Sequence, residues 1–107
     1  MFNGCKYIKK INFININVEN ITKMNYMFFD CKYLEFINFS SFNTKNVIDM
    51  SHLFCNCINL KYLNLLSFDI KNVINMNSMF YGCENLKYIE LNCLNTKKVT
   101  DMGNMFL

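Results

Sequence analysis

The sequence predicts a repeat solenoid, in which right-handed coils each carry a short parallel β-strand followed by a short helix or 3₁₀ segment. Three observations predict it. A unit of 26 residues returns along the chain without insertion, apolar positions recur in register between the copies, and residue spacing within each copy changes from a strand period to a helical one. Because one such unit cannot enclose a core, the copies must stack to bury their apolar side chains.

The unit is recognised by residues that keep their places in every copy: Phe at the second position, Cys at the fifth and Met at the twenty-fourth. Four copies and a three-residue stub account for the whole chain, so we expect one domain covering residues 1–107. The copies are 1–26, 27–52, 53–78 and 79–104, and the stub is 105–107.

The strand is predicted from the two-residue period that places Ile37 and Phe39 on one face and Asn38 on the other. Apolar columns repeated between copies predict the core. They are Ile8, Leu34, Leu60 and Leu86; Ile11, Ile37, Leu63 and Ile89; Phe13, Phe39, Leu65 and Leu91; Ile16, Phe42, Phe68 and Leu94; and Ile21, Val47, Val73 and Val99.

The helical segment is predicted from Val47, Met50 and Leu53, whose spacing of three residues is typical of one face of a short helix. The handedness of strand-crossover-strand connections favours right-handed coils. The fourth position of each copy holds residue types that tolerate a left-handed backbone, which indicates the end of the helix. Its residues are Gly4, Asp30, Asn56 and Gly82.

The motif Leu34-x-x-Ile37-x-Phe39 resembles the core of a leucine-rich repeat. The full unit is similar to the repeats of the BspA-like leucine-rich-repeat surface proteins, which carry Met-Phe-x-x-Cys and Asn-Val-Thr-x-Met elements. Here Met79 to Cys83 matches the first element and Asn46 to Met50 is similar to the second. The resemblance covers the whole chain and implies a leucine-rich-repeat-like fold, cell-surface display, adhesion, and host or matrix contact.

Composition excludes several classes of protein. With 52% apolar and 18% charged residues, the chain is too apolar to be disordered. No apolar stretch is long enough to span a membrane, and no signal peptide is visible within these residues. The net charge of +3 comes from scattered lysines and the chain has no Arg, so we expect no nucleic-acid partner.

Four of the six cysteines share one position of the repeat, and we expect them to form a buried structural thiol ladder. Disulfides between neighbouring copies are the alternative, since strand spacing lies within disulfide reach. The ladder residues are Cys5, Cys31, Cys57 and Cys83. The chain has one histidine, His52. Together with the close pair Cys55 and Cys57 it provides too few ligands for a zinc site, and it does not complete a catalytic triad. We therefore predict no metal, no cofactor and no enzymatic activity.

Strand positions that point away from the core are the best candidates for ligand binding. Aromatic rings beside amides suit a protein or glycan surface, because rings supply contact area and amides supply hydrogen bonds. The alternative is that stacked rings and Asn ladders only support neighbouring strands. The predicted binding residues are Phe36, Tyr62, Tyr88, Asn12, Asn38, Asn64 and Glu90, with Lys10 in the same column as the rings.

The function that the sequence favours is a non-catalytic protein or glycan interaction scaffold, as a segment of a longer surface or secreted adhesin-like protein. The alternative is an intracellular self-associating solenoid with no external ligand. Neither end of the chain shows the polar cap that a solenoid needs. Truncation from a longer array explains this, and end-to-end self-association is the other explanation.

Overall fold

Four short β-strands lie in two parallel pairs in the computed structural model, which describes residues 2–14, 19–91 and 103. β1 pairs with β2 and β3 pairs with β4. Facing residues are one repeat apart, as in Ile11 opposite Ile37 and Leu63 opposite Ile89. The strands are β1 (Lys10–Asn12), β2 (Phe36–Asn38), β3 (Tyr62–Leu65) and β4 (Tyr88–Leu91).

The strands form where the two-residue period predicts them. In β3, Leu63 and Leu65 are buried, whereas Tyr62 and Asn64 are exposed. Equivalent residues face each other because this register keeps the apolar positions of every repeat on the core side. The same register holds away from the strands, where single bridges join Lys23 to Asp49 and Asp49 to Asn75.

The predicted helical segments are wrong: the described residues form turns there and contain no helix. Asn56 has a left-handed backbone, with φ of 62°, as its residue type predicts, but it ends a turn and not a helix. His52 is also left-handed, with φ of 54°, and Tyr26 and Ser78 share that conformation in neighbouring copies. A left-handed residue cannot continue a right-handed helix, so two of them four residues apart leave room only for turns.

Alternate backbone N–H groups in these turns find their partners in the next copy of the repeat, and the groups between them bond to carbonyls three residues back in their own copy. The Phe28 N–H donates to the Leu53 carbonyl over 3.0 Å, and the Phe54 N–H donates to the Met79 carbonyl over 2.9 Å. A helix would have used bonds four residues apart for the same groups. Because bonds between copies already satisfy these buried N–H groups, the apolar spacing did not produce a helix.

The predicted fold class, a leucine-rich-repeat-like repeat solenoid, is therefore also wrong for the described residues. Instead of one strand layer along the chain, β2 and β3 belong to separate two-stranded sheets. The molecule measures 34 × 33 × 22 Å, and its radius of gyration of 12.6 Å is close to the ~13 Å of a compact domain of this length. Short strands, turns and a shared apolar core define a compact globule.

The core is built around a column of stacked phenylalanine rings, which we call the inner ring column. Its members are Phe2, Phe28, Phe54 and Phe80. Successive ring centroids lie 5.6, 5.6 and 5.8 Å apart, and their planes differ by no more than 7°. Phe39 packs edge-on against both Phe28 and Phe54, which joins the column to the strand side of the core. The predicted apolar columns belong to the core or pack against it between Ile8 and Ile89, except for Ile16, which lies outside the described residues together with Leu94 and Val99.

Asparagine side chains hold neighbouring copies together at the surface. The Asn46 amide donates to the Glu19 carbonyl over 2.7 Å, and the Asn72 amide donates to the Lys45 carbonyl over 2.8 Å. Asn85 donates to the Ile58 carbonyl in the same way. Part of the asparagine content of the chain therefore serves hydrogen bonding between copies.

The division into copies 1–26, 27–52, 53–78 and 79–104 stays a prediction. The pairings described above join residues that are one repeat apart, which is consistent with this division. Much of the fourth copy, and the stub 105–107, lie outside the described residues.

Candidate ligand-binding groove

The residues predicted to bind a ligand lie on the outward side of the four strands, but on two sheets. Lys10 faces Phe36 across the β1–β2 pair, and Tyr62 faces Tyr88 across the β3–β4 pair. The amide positions follow the same register, with Asn12 opposite Asn38 and Asn64 opposite Glu90. The structure thus brings the predicted residues together in pairs.

Three aromatic rings of this outward face are open to solvent. Phe36 is 42% exposed, Tyr62 is 38% exposed and Tyr88 is 57% exposed. The Tyr62 and Tyr88 rings stack, with centroids 5.5 Å apart and planes 14° apart. Large exposed rings that neighbour one another are candidates for contact with a partner.

A groove of about 450 Å³ lies where the two sheets meet, between β2 and β3. Rings of Phe36 and Tyr62 and amides of Asn38 and Asn64 belong to its lining, so it gathers four of the seven predicted binding residues. The full lining is Phe36, Ile37, Asn38, Phe39, Ser40, Tyr62, Asn64, Leu66 and Ser67. Sequence reasoning missed the groove, because the repeat pattern gives no sign that the strand ladder is interrupted after β2.

The two amides in the groove are held by the turns that follow the strands. The Asn38 Oδ1 accepts a hydrogen bond from the Ser40 N–H over 2.9 Å, and the Asn64 Oδ1 accepts one from the Leu66 N–H over 3.0 Å. Such side-chain turns are typical of Asn. The bonds orient each amide, since its oxygen is directed to the backbone and its NH₂ is turned away from that N–H.

Tyr62 lies at the centre of the polar contacts on this face. Its pKa is raised, first by partial desolvation and then by the Glu90 carboxylate next to its hydroxyl; the Asn64 amide opposes this. Tyr62 is protonated at neutral pH in any case, and its hydroxyl interacts with Glu90 and Asn64 on this face.

The four cysteines of the predicted ladder occupy equivalent places beside the inner ring column. The Cys31 thiol donates to the Phe2 carbonyl over 3.1 Å, and the Cys57 thiol donates to the Phe28 carbonyl over 3.2 Å. Cys83 donates to the Phe54 carbonyl in the same manner. These three thiols and Cys5 are free cysteines, and so is Cys55 outside the ladder; Cys93 lies outside the described residues.

Burial makes these thiols unreactive. Desolvation raises the pKa of Cys31 to about 11 and that of Cys83 to about 12, and it also raises the pKa of Cys57. A thiol is a nucleophile and metal ligand only as the thiolate, so these groups stay protonated at neutral pH and act as packing groups and weak donors.

His52 lies flat against Tyr26, with ring centroids 4.5 Å apart. Its Nδ1 is buried without a hydrogen-bond partner. Within residues 2–14, 19–91 and 103, no group of three or more His, Cys, Asp or Glu is arranged to hold a metal ion. Over the same ranges, no helix has the length and apolar character needed to cross a membrane.

Residues 1–107 match the family described as "Mycoplasma protein of unknown function, DUF285". The chain belongs to this family. No curated protein and no solved structure matches the chain. A function for this DUF285 chain must therefore be argued from its own side chains.

Proposed function

We propose that this DUF285 chain is a non-catalytic binding module that contacts a protein or glycan ligand through the outward face of β2, β3 and β4. The observation that carries the proposal is the groove between β2 and β3, where exposed rings and oriented amides converge. Rings and amides form contacts without any reaction, and the Cys57 thiol beside the inner ring column is buried and protonated.

The outward rings are available for binding because the core does not depend on them. Tyr88 is more than half exposed, whereas Phe80, in the same copy of the repeat, is 2% exposed. Binding energy at an interface is concentrated in a few aromatic anchors. Phe36, Tyr62 and Tyr88 are the rings that would supply those anchors.

The experiment compares the wild-type chain with a variant carrying Phe36→Ala, Tyr62→Ala and Tyr88→Ala. Both are applied to arrays of immobilised glycans and extracellular matrix proteins. We expect the variant to lose binding while its circular dichroism spectrum stays unchanged. A matched control carries Tyr7→Ala and Tyr33→Ala, which removes another stacked pair of exposed rings, 6.5 Å apart and outside the groove, and it should bind as wild type does. Equal binding by all three proteins would contradict the proposal.

We also propose that the module is displayed at the cell surface or secreted, as part of a longer protein. The support is the resemblance of its repeat to the BspA-like surface proteins. Brief protease treatment of intact cells, followed by detection with an antibody against the chain, tests this. Loss of the signal from intact cells is expected, and full protection until lysis would contradict it.

Self-association without an external ligand is the second candidate. It is favoured by the outer edge of β1, since β1 pairs with β2 alone among the strands of the described ranges, and by the partly buried Ile8 and Ile11 near that edge. Light scattering after size exclusion distinguishes the two. A monomer at micromolar concentration favours the binding module, and concentration-dependent growth favours self-association.

A further inference from the structure

The groove between β2 and β3 has an uncharged lining. All nine lining residues are uncharged, and they combine aromatic, amide, hydroxyl and aliphatic groups. Its volume of about 450 Å³ lies within the ~300–1,000 Å³ range typical of small-molecule sites. A charged ligand would find no counter-ion in this lining, so charge matching favours a neutral ligand.

The aromatic part of the lining consists of the Tyr62 and Phe36 rings, and Tyr88 holds the Tyr62 ring in place. Tyr62 is held by its stack on Tyr88, 5.5 Å away, and its ring remains partly open. Phe36 lies on the other sheet and also lines the groove. The face of an aromatic ring carries partial negative charge and attracts weakly positive C–H groups. Sugar rings present such C–H groups on their flat faces.

The polar part of the lining offers both donors and acceptors at fixed places. Asn38 and Asn64 have their oxygens bound by turn N–H groups, which directs their NH₂ groups elsewhere as donors. The Ser67 hydroxyl donates to the Phe39 carbonyl over 2.9 Å, so its lone pairs remain as acceptors. Sugar hydroxyls both donate and accept, and groups already oriented lose little freedom when they bind.

We propose that the groove binds a neutral saccharide, with a sugar ring stacked on Tyr62 or Phe36 and its hydroxyls hydrogen-bonded to Asn38, Asn64 and Ser67. This inference rests on the proposed binding function and names its ligand class. A peptide strand added to a sheet would depend on backbone hydrogen bonds, whereas the groups used here are the side chains of the lining above the buried Ile37 and Phe39.

The test is a titration of the whole 107-residue chain with maltotriose, cellotriose, lactose and N,N′-diacetylchitobiose, each to about 10 mM. Saturation-transfer NMR on the saccharide reports binding and shows which sugar protons approach the protein. Tyrosine fluorescence gives the affinity directly, since the chain has six Tyr and no Trp. We expect at least one saccharide to bind, with the strongest transfer to its ring C–H protons.

Variants assign the binding to the groove. Tyr62→Ala and Phe36→Ala should each weaken binding by about tenfold or more, whereas Tyr62→Phe keeps the ring and should stay within about threefold of wild type. Tyr33→Ala removes a ring that is 50% exposed outside the groove and should leave the affinity unchanged. Urea denaturation of each variant shows that it is folded.

The outcomes separate this inference from the function on which it rests. Saccharide binding that is lost in Tyr62→Ala supports both. Absence of binding by all four saccharides overturns the inference, and so does binding that Tyr62→Ala and Phe36→Ala leave unchanged. If the same face still binds an immobilised matrix protein in those cases, the proposed function stands and only its ligand class is wrong. If the face binds neither glycan nor protein, both proposals fail.

Discussion

The inner ring column and the outward column of Lys10, Phe36, Tyr62 and Tyr88 share one repeat period but differ in nearly everything else. The inner column holds Phe in every copy, and Phe28 and Phe54 are fully buried. The outward column changes from Lys to Phe to Tyr, and its rings are exposed by 38% to 57%. Close packing requires a side chain of the same size at every inner position, whereas exposed positions accept different side chains. The inner column therefore stabilises the fold, whereas the residues of the outward column can vary to suit a ligand.

The largest effect is expected at the centre of the inner column. Phe54→Ala removes a ring stacked on both sides and should lower the free energy of unfolding by about 3–5 kcal/mol. Phe54→Leu fills most of the space and should cost far less. Urea denaturation measures both. A loss below about 1 kcal/mol for the alanine variant would show that the inner column does not carry the core.

The thiols beside the inner column provide a test by pH. The Cys31 thiol has its pKa raised from 9.0 to about 11 by burial, so the unfolded chain releases this proton at lower pH than the folded one. The stabilisation is complete below pH 9 and is lost as the pH rises towards 11, by about 2 kcal/mol. Urea denaturation of wild type and Cys31→Ala at pH 8 and pH 11 checks this. The alanine variant should lose less stability over that interval, and equal losses would contradict a buried Cys31.

The outward column should respond weakly. Tyr62→Ala removes an exposed ring and its stack on Tyr88, and we expect a loss of about 1 kcal/mol. A double-mutant cycle with Tyr88→Ala isolates the stacking contribution. A loss approaching that of Phe54→Ala would remove the distinction between the two columns.

The smallest effect concerns an amide in the groove. Asn64→Ala removes the acceptor for the Leu66 N–H, an exposed hydrogen bond, and should cost about 0.5 kcal/mol. Asn64→Asp keeps a side-chain oxygen there and should be close to neutral for stability. Thermal denaturation of the two variants measures the difference. If both variants unfold as wild type does, the turn does not depend on this side chain.

The parallel strands and the apolar core could be predicted because both follow from period alone. Ile37 and Leu63 are buried for the reason that their repeat position indicates: equivalent residues face each other in register. The helices were not correctly predicted, since apolar residues spaced by three fit a helix and a series of turns equally well. The left-handed backbone of His52 and Tyr26 excludes the helix and leaves the turns. Neither residue type favours this conformation as strongly as Gly or Asn does.

The individual residues of the candidate site could be predicted from the sequence, but the groove that they line could not. Alternation identified Phe36 and Tyr62 as outward residues, and the structure shows them exposed. The groove between them depends on the interruption of the strand ladder after β2. Every copy carries the same strand pattern, so nothing in the sequence marks where that interruption falls.

The sequence by itself determined the register, since copies of one unit bury their apolar residues best when equivalent positions meet. It also determined which side chains line the core, because the apolar positions recur in register in every copy. Only the tertiary structure decided that alternate turn N–H groups bond to the next copy, that β2 and β3 belong to separate sheets, and that Asn38 and Asn64 present their NH₂ groups beside a groove. Those choices depend on hydrogen bonds between residues distant in sequence, and local pattern carries no information about them.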